Sequence, residues 1–388
     1  MVRIAHLSDT HLGYRQYNLE EREQDIYDVL DEIADKILEE RVDFVIHSGD
    51  LFDSWRPTTQ AYYVFKNFLN KLDGKVKIFT ILGDHDAPKR RGMPPHMLFD
   101  DRIEILGVNG ANHRVVSING EEVLIAGISN LSRRYREILV EELKKLDALA
   151  EKYKCSVLML HQAIDKFFPF EEVFELKLDE VPRNFKYCAM GHLHARVRAS
   201  HGSGELAYSG STEIMRKNEI GGWEKQGKGF YVVDIEQERT SLHEVNIDKI
   251  RPQISRKLSY ADFQNELENL VNSLTDNTKL PIVHAVIEGK QIDRQSVHQA
   301  LNEALAGKTL QVRPDFIEEA DKRMIELKPG HFNINMMLRE YLQDKETGEL
   351  GFELFKFLRY GDVDEAKKVA DEYFKKEKHN DVEKRQVG

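Results

Sequence analysis

Cysteine is almost missing from this chain, with only Cys155 and Cys188 in 388 residues. Each borders an apolar run, Val157 to Leu160 for one and Ala189-Met190 for the other. Both therefore read as small core residues, and neither a disulfide framework nor a thiol nucleophile is expected. Such usage points to a reducing compartment, the cytosol. Long apolar runs are missing too: no stretch reaches the roughly 18 residues that a membrane span needs. Met1 leads straight into the strand-like Val2 to Leu7, so no signal peptide is expected. There are no internal repeats and no low-complexity tract. Positive charge is in deficit, 56 Lys and Arg against 67 Asp and Glu for a net charge of −11. That balance excludes wholesale coating of nucleic acid but leaves room for a local basic track.

What is present is material for more than one core. The chain exceeds the roughly 100 to 200 residues of a typical domain, which predicts two units and an appendage. Hydrophobic residues make up 41% and charged residues 32%, the latter above the ordinary globular share. β-Branched and aromatic runs at Val2 to Leu7, Phe44 to Ser48, Val76 to Leu82, Val123 to Ile128, Ser156 to Leu160 and Tyr187 to Met190 predict buried strands. Between them, helical spacing of apolar residues predicts helices over Glu21 to Glu40 (Ile26, Val29, Leu30, Ile33, Ile37), from Pro57-Thr58 through Leu72, and around Leu139, Leu143 and Leu146. The alternation implies a layered α/β fold with a largely parallel core. A further strand at Phe230 to Val233 completes the first domain, residues 1–248. Arg251-Pro252 marks a break, after which a small α/β unit over residues 249–328 carries no site-like cluster. Beyond Pro329 the pattern is helical only, with stripes at Met337, Leu338, Tyr341 and Leu342, then Leu350, Leu354, Phe355 and Leu358, then Ala366, Val369, Ala370, Tyr373 and Phe374. These helices over residues 329–388 either pack back on the body or dock on a partner, with docking favoured.

The chemistry lies at the strand ends. Asp9 and His11 follow the first strand, two residues apart and so facing one way. Asp50 follows the second, Asp84 and His85 the third, His161 the Ser156 to Leu160 strand, and His192 and His194 the Tyr187 to Met190 strand. A single Asp or His at a strand end is ordinarily a cap or turn residue. His6 and His47, inside strands, read as satisfied core imidazoles. The ordered set has no such simple explanation. Four imidazoles and three carboxylates suit manganese, iron, zinc or cobalt better than calcium or magnesium. Asp9, His11, Asp50, Asp84, His161, His192 and His194 are too many for one ion and fit a pair about 3.5 to 4 Å apart with one bridging carboxylate. Such a pair favours hydrolysis at phosphorus. His85 adjoins a ligand but faces elsewhere, free to protonate a leaving oxygen. Basic clusters flank these ends: Arg56 beside Trp55, Lys89-Arg90-Arg91, Arg133-Arg134-Tyr135-Arg136, and Arg196 with Arg198. On loops beside the metals they would neutralise phosphates of a nucleic acid.

With Asp-x-His, Gly-Asp, Gly-Asp-His-Asp, His161 and Gly-His-x-His in that order, the chain resembles the calcineurin-like metallophosphoesterases. The wording Leu7-Ser8-Asp9-Thr10-His11-Leu12-Gly13, Ser48-Gly49-Asp50-Leu51-Phe52, Leu160-His161-Gln162 and Tyr208-Ser209-Gly210-Ser211 is similar to the archaeal Mre-eleven (SbcD-like) double-strand-break repair nucleases. The resemblance implies an α/β/β/α metallophosphoesterase sandwich with a small α/β capping domain that aids DNA binding and C-terminal helices. It implies a manganese-dependent exonuclease and single-strand endonuclease acting on DNA ends, associated with the nucleoid. Asp9, His11, Asp50 and His194 would hold one manganese ion and Asp50, Asp84, His161 and His192 the other, with His85 as the catalytic histidine. A homodimer is implied through residues 58 to 72 and the region of Met93 to Leu98. The C-terminal helices would bind a Rad-fifty-type ABC ATPase. Two departures stand out: Asp84 occupies a position where asparagine is usual, and Asp53 one where some relatives carry histidine. A small-molecule phosphodiesterase or phosphoprotein phosphatase of the same superfamily is the first rival reading. A DNA-end-binding scaffold with weak chemistry is the second.

Overall fold

The computed structural model describes residues 1–318 except 73, 89–91, 169–173, 237–238 and 275–277, together with 338, 341–342, 345–358, 366–370 and 373. The chain divides into two compact units, Met1–Gln162 with Asp179–Glu326, and Ala163–Leu178 with Leu327–Gly388.

Among the described residues the first unit holds fifteen strands: β1 Val2–Leu7, β2 Phe44–His47, β3 Lys77–Thr80, β4 Glu104–Ile105, β5 Asn112–Ile118, β6 Glu121–Ile128, β7 Cys155–His161, β8 Tyr187–Gly191, β9 Val197–His201, β10 Gly204–Tyr208, β11 Gly229–Ile235, β12 Thr240–Asn246, β13 Gln253–Ser259, β14 Ile282–Gly289 and β15 Gln311–Glu318. They form two six-stranded sheets, ordered β12-β11-β1-β2-β3-β4 and β5-β6-β7-β8-β10-β9, and a three-stranded sheet β13-β14-β15. Four neighbouring strands in each large sheet are parallel; antiparallel strands close one edge of the first sheet, whose other edge is the parallel β4, and both edges of the second.

Side-chain alternation along a strand explains why the two large sheets stack. Ile4, Phe44, Ile46 and Phe79 of the first sheet share one buried cluster with Val123, Ile125, Val157, Met159 and Tyr187 of the second. The intervening Ala5, Leu7, Val45 and Ile78 face the other way. There they meet the apolar stripes of α1 (Glu20–Glu40) and α2 (Thr59–Leu72), namely Ile26, Leu30, Ile33, Phe65, Phe68 and Leu69. Thr58 caps α2, its Oγ1 accepting from Ala61 N at 3.1 Å. In α3 (Arg136–Ala150) the predicted Leu139, Leu143 and Leu146 are buried. A short helix, α4 (Ile220–Gln226), precedes β11.

The all-parallel third sheet carries α5 (Phe263–Ser273) and α6 (Arg294–Leu305), whose Leu267, Leu270, Val297 and Leu301 pack on Val283, Ala285 and Ile287. A buried charge network ties it to α1. Asp25 accepts from Arg22 at 2.7 Å, Arg251 at 2.6 Å and Lys279 at 2.8 Å, and Gln253 Nε2 donates to Gln16 Oε1 at 2.7 Å. His284 is a core residue here, its Nε2 3.0 Å from Gln253 Oε1.

In the second unit, α7 (Lys345–Leu358) contains the stripe Leu350, Leu354, Phe355 and Leu358, the first three half-buried and Leu358 exposed. Met337 and Phe374 lie outside the described residues. Among those described, no helix is long and apolar enough to cross a membrane.

Candidate metal centre

The predicted ligands meet, although they come from two stacked sheets and not from one. Asp9 and His11 follow β1, Asp50 follows β2 and Asp84 follows β3, all in the first sheet. His161 ends β7 and His192 and His194 follow β8, in the second. Among the described residues four groups of ligand atoms lie within 4.8 Å of one another: Asp9, His11 and His194; Asp84, His161 and His192; Asp9, Asp50 and His161; and His11, Asp53 and His85. Together they contain all seven predicted side chains.

Local backbone aims these groups. Asp9, His11, Asp50 and His192 all have positive φ, 52°, 46°, 55° and 88°, a strained region that non-glycine residues hold only where the surroundings fix them. The fixing is visible: Asp9 N donates to Gly49 O at 3.0 Å and His11 N to Asp50 O at 3.0 Å, while His192 N donates to both Asp9 carboxylate oxygens at 3.1 Å. Glycine is required where the loops touch. A Cβ on Gly83 would stand 2.0 Å from Asp50 Oδ1, and one on Gly191 2.0 Å from Ser48 O.

Hydrogen bonds to the far ring nitrogens orient the imidazoles. His161 Nδ1 donates to Ser48 O at 2.7 Å, turning Nε2 toward Asp84 Oδ1 at 3.2 Å and Asp50 Oδ2 at 3.4 Å. His194 Nδ1 donates to Glu219 Oε1 at 2.8 Å, turning Nε2 toward His11 Nε2 at 3.2 Å and Asp9 Oδ1 at 4.0 Å. His192 presents Nδ1 to Asp84 Oδ1 at 3.1 Å. A carboxylate or carbonyl behind a ligating histidine fixes its tautomer and strengthens it as a ligand. Glu219 is in turn held by Lys228 at 2.7 Å and Ser211 at 3.0 Å. Burial opposes its ionisation, yet His194 and Lys228 together hold it down to about 2.

The electrostatics call for cations. Burial would lower both His11 and His161, but Asp53, Asp50 and Asp9 raise His11 to about 9, and Asp50, Asp84 and Asp9 raise His161 well above its usual value. Asp50 falls below the usual carboxylate range because His161 and His11 outweigh burial and Asp84. Inward-facing imidazole nitrogens among three carboxylates match the donor set of a pair of borderline divalent ions.

His85 is set apart. Its Nδ1 donates to Asp53 O at 2.8 Å, with Asp53 Oδ1 at 3.6 Å, and its side chain is 36% exposed. Its backbone N–H donates to Asp50 Oδ1 at 2.9 Å. His6 and His47 are interior residues as read: His6 Nδ1 lies 2.6 Å from Tyr187 Oη and His47 Nε2 3.1 Å from Thr10 Oγ1. Both cysteines are free and buried, and burial pushes each thiol up to about 12.

The basic clusters fare unevenly. Arg56 is exposed, its guanidinium 4.1 Å over the Trp55 ring. Arg133 and Arg134 are exposed, whereas Arg136 pairs with Glu180 at 2.6 Å. Lys89, Arg90 and Arg91 lie outside the described residues. Arg196 is a correction. It is buried, donating to Gln226 O at 2.8 Å and Val245 O at 3.1 Å and lying 5.6 Å over Tyr231. A guanidinium whose two terminal amino groups bond interior acceptors and whose Nε is buried without a partner among the described residues braces β11 and β12 and is out of reach of phosphate. Glu219 was not anticipated, because nothing in a loop glutamate far along the chain marks it as the partner of His194. Asp86 stood inside a quoted motif and Asp53 was named only as a departure from the family pattern, neither with an assigned contact.

A family model described as calcineurin-like phosphoesterase matches residues 2–196. Over 363 residues the chain is 38% identical to the DNA double-strand break repair protein Mre11 of Thermoplasma acidophilum, covering 92% of this chain and 95% of that one. It is 37% identical over 310 residues to the protein of the same name from Saccharolobus solfataricus, at 78% and 79% coverage. With the Methanocaldococcus jannaschii counterpart it shares 34% over 382 residues, at 96% and 98% coverage.

Proposed function

This chain belongs to the Mre11 family of calcineurin-like phosphoesterases, and on that premise we propose that it is a two-metal nuclease that hydrolyses phosphodiester bonds at DNA ends in double-strand-break repair. The single observation that carries the reading is the convergence of seven ligand-type side chains from both large sheets into groups no wider than 4.8 Å.

Asp9, His11 and His194 would hold one ion and Asp84, His161 and His192 the other, with Asp50 available to both. Manganese is the proposed resident, since four imidazoles with three carboxylates disfavour calcium and magnesium. When bound, such a pair supplies Lewis acidity for attack of water at phosphorus and neutralises charge on the phosphoryl oxygens. His85 holds its Nδ1 proton on Asp53 O, so in the imidazolium form its Nε2 is the nitrogen that gives a proton to the leaving oxygen, leaving the neutral ring with its proton on Nδ1. Exposed Arg56, Arg133 and Arg134 contact flanking phosphates, as do Lys89, Arg90 and Arg91. The third sheet and its helices, within residues 249–328, serve as an accessory DNA-binding domain beside the nuclease domain of residues 1–248. Exposed Tyr63, Met93 and Leu98 suit a homodimer surface on the nuclease domain. Exposed Tyr341 and Leu358 support docking of a Rad-fifty-type ABC ATPase on residues 329–388.

The test is cleavage of end-labelled duplex and single-stranded DNA by purified protein with manganese, with chelator, and with a His85→Ala variant. The proposal expects manganese-dependent release of nucleotides or short fragments. The variant should bind manganese normally yet cut about 10²- to 10⁴-fold more slowly. Cleavage of a chromogenic diester with DNA left intact would instead mark a small-molecule phosphodiesterase.

A further inference from the structure

Asp86 is the last residue of the Gly83-Asp84-His85-Asp86 turn, and the metal-ligand set does not use it. It is fully buried. Its Oδ2 accepts from Leu51 N at 3.0 Å and Gly83 N at 3.2 Å, and its Oδ1 accepts from Phe52 N at 2.8 Å. These three amides have a meaning in the sequence. Leu51 and Phe52 directly follow Asp50, and Gly83 directly precedes Asp84, so one carboxylate grips both ligand-bearing loops where they carry their ligands.

The grip lies where the sheet no longer helps. The β2–β3 register ends at His47 and Thr80, and the chain then passes through Gly49 at φ 91° and Asp50 at φ 55°. A reciprocal bond crosses the other way, from His85 N to Asp50 Oδ1 at 2.9 Å. Behind the carboxylate stands His96, also fully buried, its Nε2 3.8 Å from Asp86 Oδ2 and its ring edge-on to Phe52. With its oxygens turned to backbone amides, Asp86 is not a ligand. Its effect on chemistry passes through Asp50, Asp84 and His85.

We infer that Asp86 is a positioning residue that sets the spacing between the Asp50 and Asp84 loops and thereby the affinity of both metal sites at once. The inference rests on the metal centre proposed above. It contrasts with Glu219, which bears on His194 alone and therefore on one site. Replacing Asp86 by asparagine keeps a single acceptor oxygen, so the amide NH₂ must face either Phe52 N–H or the Leu51 and Gly83 N–H pair. Facing Phe52, it loses one of the two bonds to the Asp50 loop; facing the pair, it loses the Leu51 bond and the only bond to the Asp84 loop; each arrangement leaves a buried donor unmatched and loosens the grip.

The experiment is calorimetric titration of metal-free full-length protein with manganese, comparing wild type, Asp86→Asn, Asp86→Glu and Glu219→Gln, with near-UV circular dichroism as the check on folding. Orienting partners of ligands typically carry 10- to 100-fold in metal affinity. Asp86→Asn should weaken both binding events by about 10-fold or more, and Glu219→Gln only one. Two unweakened events in folded Asp86→Asn would overturn the inference and leave the metal centre standing. Absence of manganese binding by the wild type would instead overturn the metal centre itself. If Asp86→Asn does not fold, two measurements decide. Asp86→Glu, which keeps both oxygens one methylene further out, should weaken both events together, and the Leu51, Phe52 and Gly83 amides of the wild type should exchange slowly and in concert. Normal binding by Asp86→Glu, or fast and independent exchange of those amides, would overturn it.

Discussion

The most exacting residues of the centre are those without side chains. Gly83 lies so close to Asp50 that a Cβ there would sit 2.0 Å from the Asp50 carboxylate oxygen, well inside van der Waals contact. Asp50 is the carboxylate proposed to serve both ions, so its displacement harms both. Gly83→Ala should therefore leave the far-ultraviolet spectrum unchanged while weakening manganese binding by at least about 10-fold. Wild-type affinity in that variant would mean that the two loops are not in the contact described. At this scale the sequence was informative about the ligands and silent about what braces them. Ligands are chemically distinctive and sit at strand ends, a place recognisable from the hydrophobic pattern. Glu219, by contrast, reaches His194 from 25 residues away, and nothing local announces such a contact. Arg196 shows the opposite failure: a basic residue next to a Gly-His-x-His motif invites a surface reading, and only the tertiary fold turns it inward.

At the scale of elements, the helix α1 shows how pattern becomes layer. Its Ile26, Val29, Ile33 and Ile37 are wholly or almost wholly buried against the outer face of the first sheet. Ile33→Ala should cost about 2 to 5 kcal/mol by loss of burial and creation of a cavity, read as a lower urea midpoint at unchanged slope. A loss below about 1 kcal/mol would mean that α1 is not the cover of that face. The parallel strands β1, β2, β3, β6, β7 and β8 were legible because burial on both faces leaves near-continuous apolar runs. The edge strands β5, β9 and β12 were not. Their largely exposed stretches, such as the exposed Asn112 to Arg114 and the mixed Val197 to His201, carry no run to detect and become strands through their partners. Periodicity could not say which strands pair, and pairing sorts them into two large sheets. After Arg251-Pro252 the described residues form three parallel strands and two helices, the α/β pattern read there.

Across the whole molecule, buried charges set the response to acid. Burial would raise Asp25, yet Arg251, Lys279 and Arg22 outweigh it and hold its carboxyl below the usual value. A carboxyl depressed in the folded state contributes stability that is complete above its unfolded value near 3.9 and lost as pH falls through the folded one. Burial likewise pushes His6 and His96 down to about 3. The unfolded chain takes up those protons first, so this contribution is present above about pH 6.5 and fades toward pH 3. Both effects have one sign, while Asp86, pushed up to about 7 by burial and Asp50, takes up its proton first in the folded state and offsets part of them between pH 7 and 4. Urea midpoints measured with chelator should be lower at pH 3 than at pH 7, and Asp25→Asn should be destabilised by about 3 to 5 kcal/mol at pH 7, where Arg22 and Arg251 remain buried without their shared partner. Equal midpoints at pH 7 and pH 3 would contradict this reading. The account as a whole turns on two ions gathered by both sheets, and the most direct measurement is anomalous diffraction at the manganese edge from crystals grown with that metal. Two peaks about 3.5 to 4 Å apart are predicted, one among Asp9, His11 and His194, the other among Asp84, His161 and His192, with Asp50 between them. A single peak, or one placed instead among His11, Asp53 and His85, would contradict it.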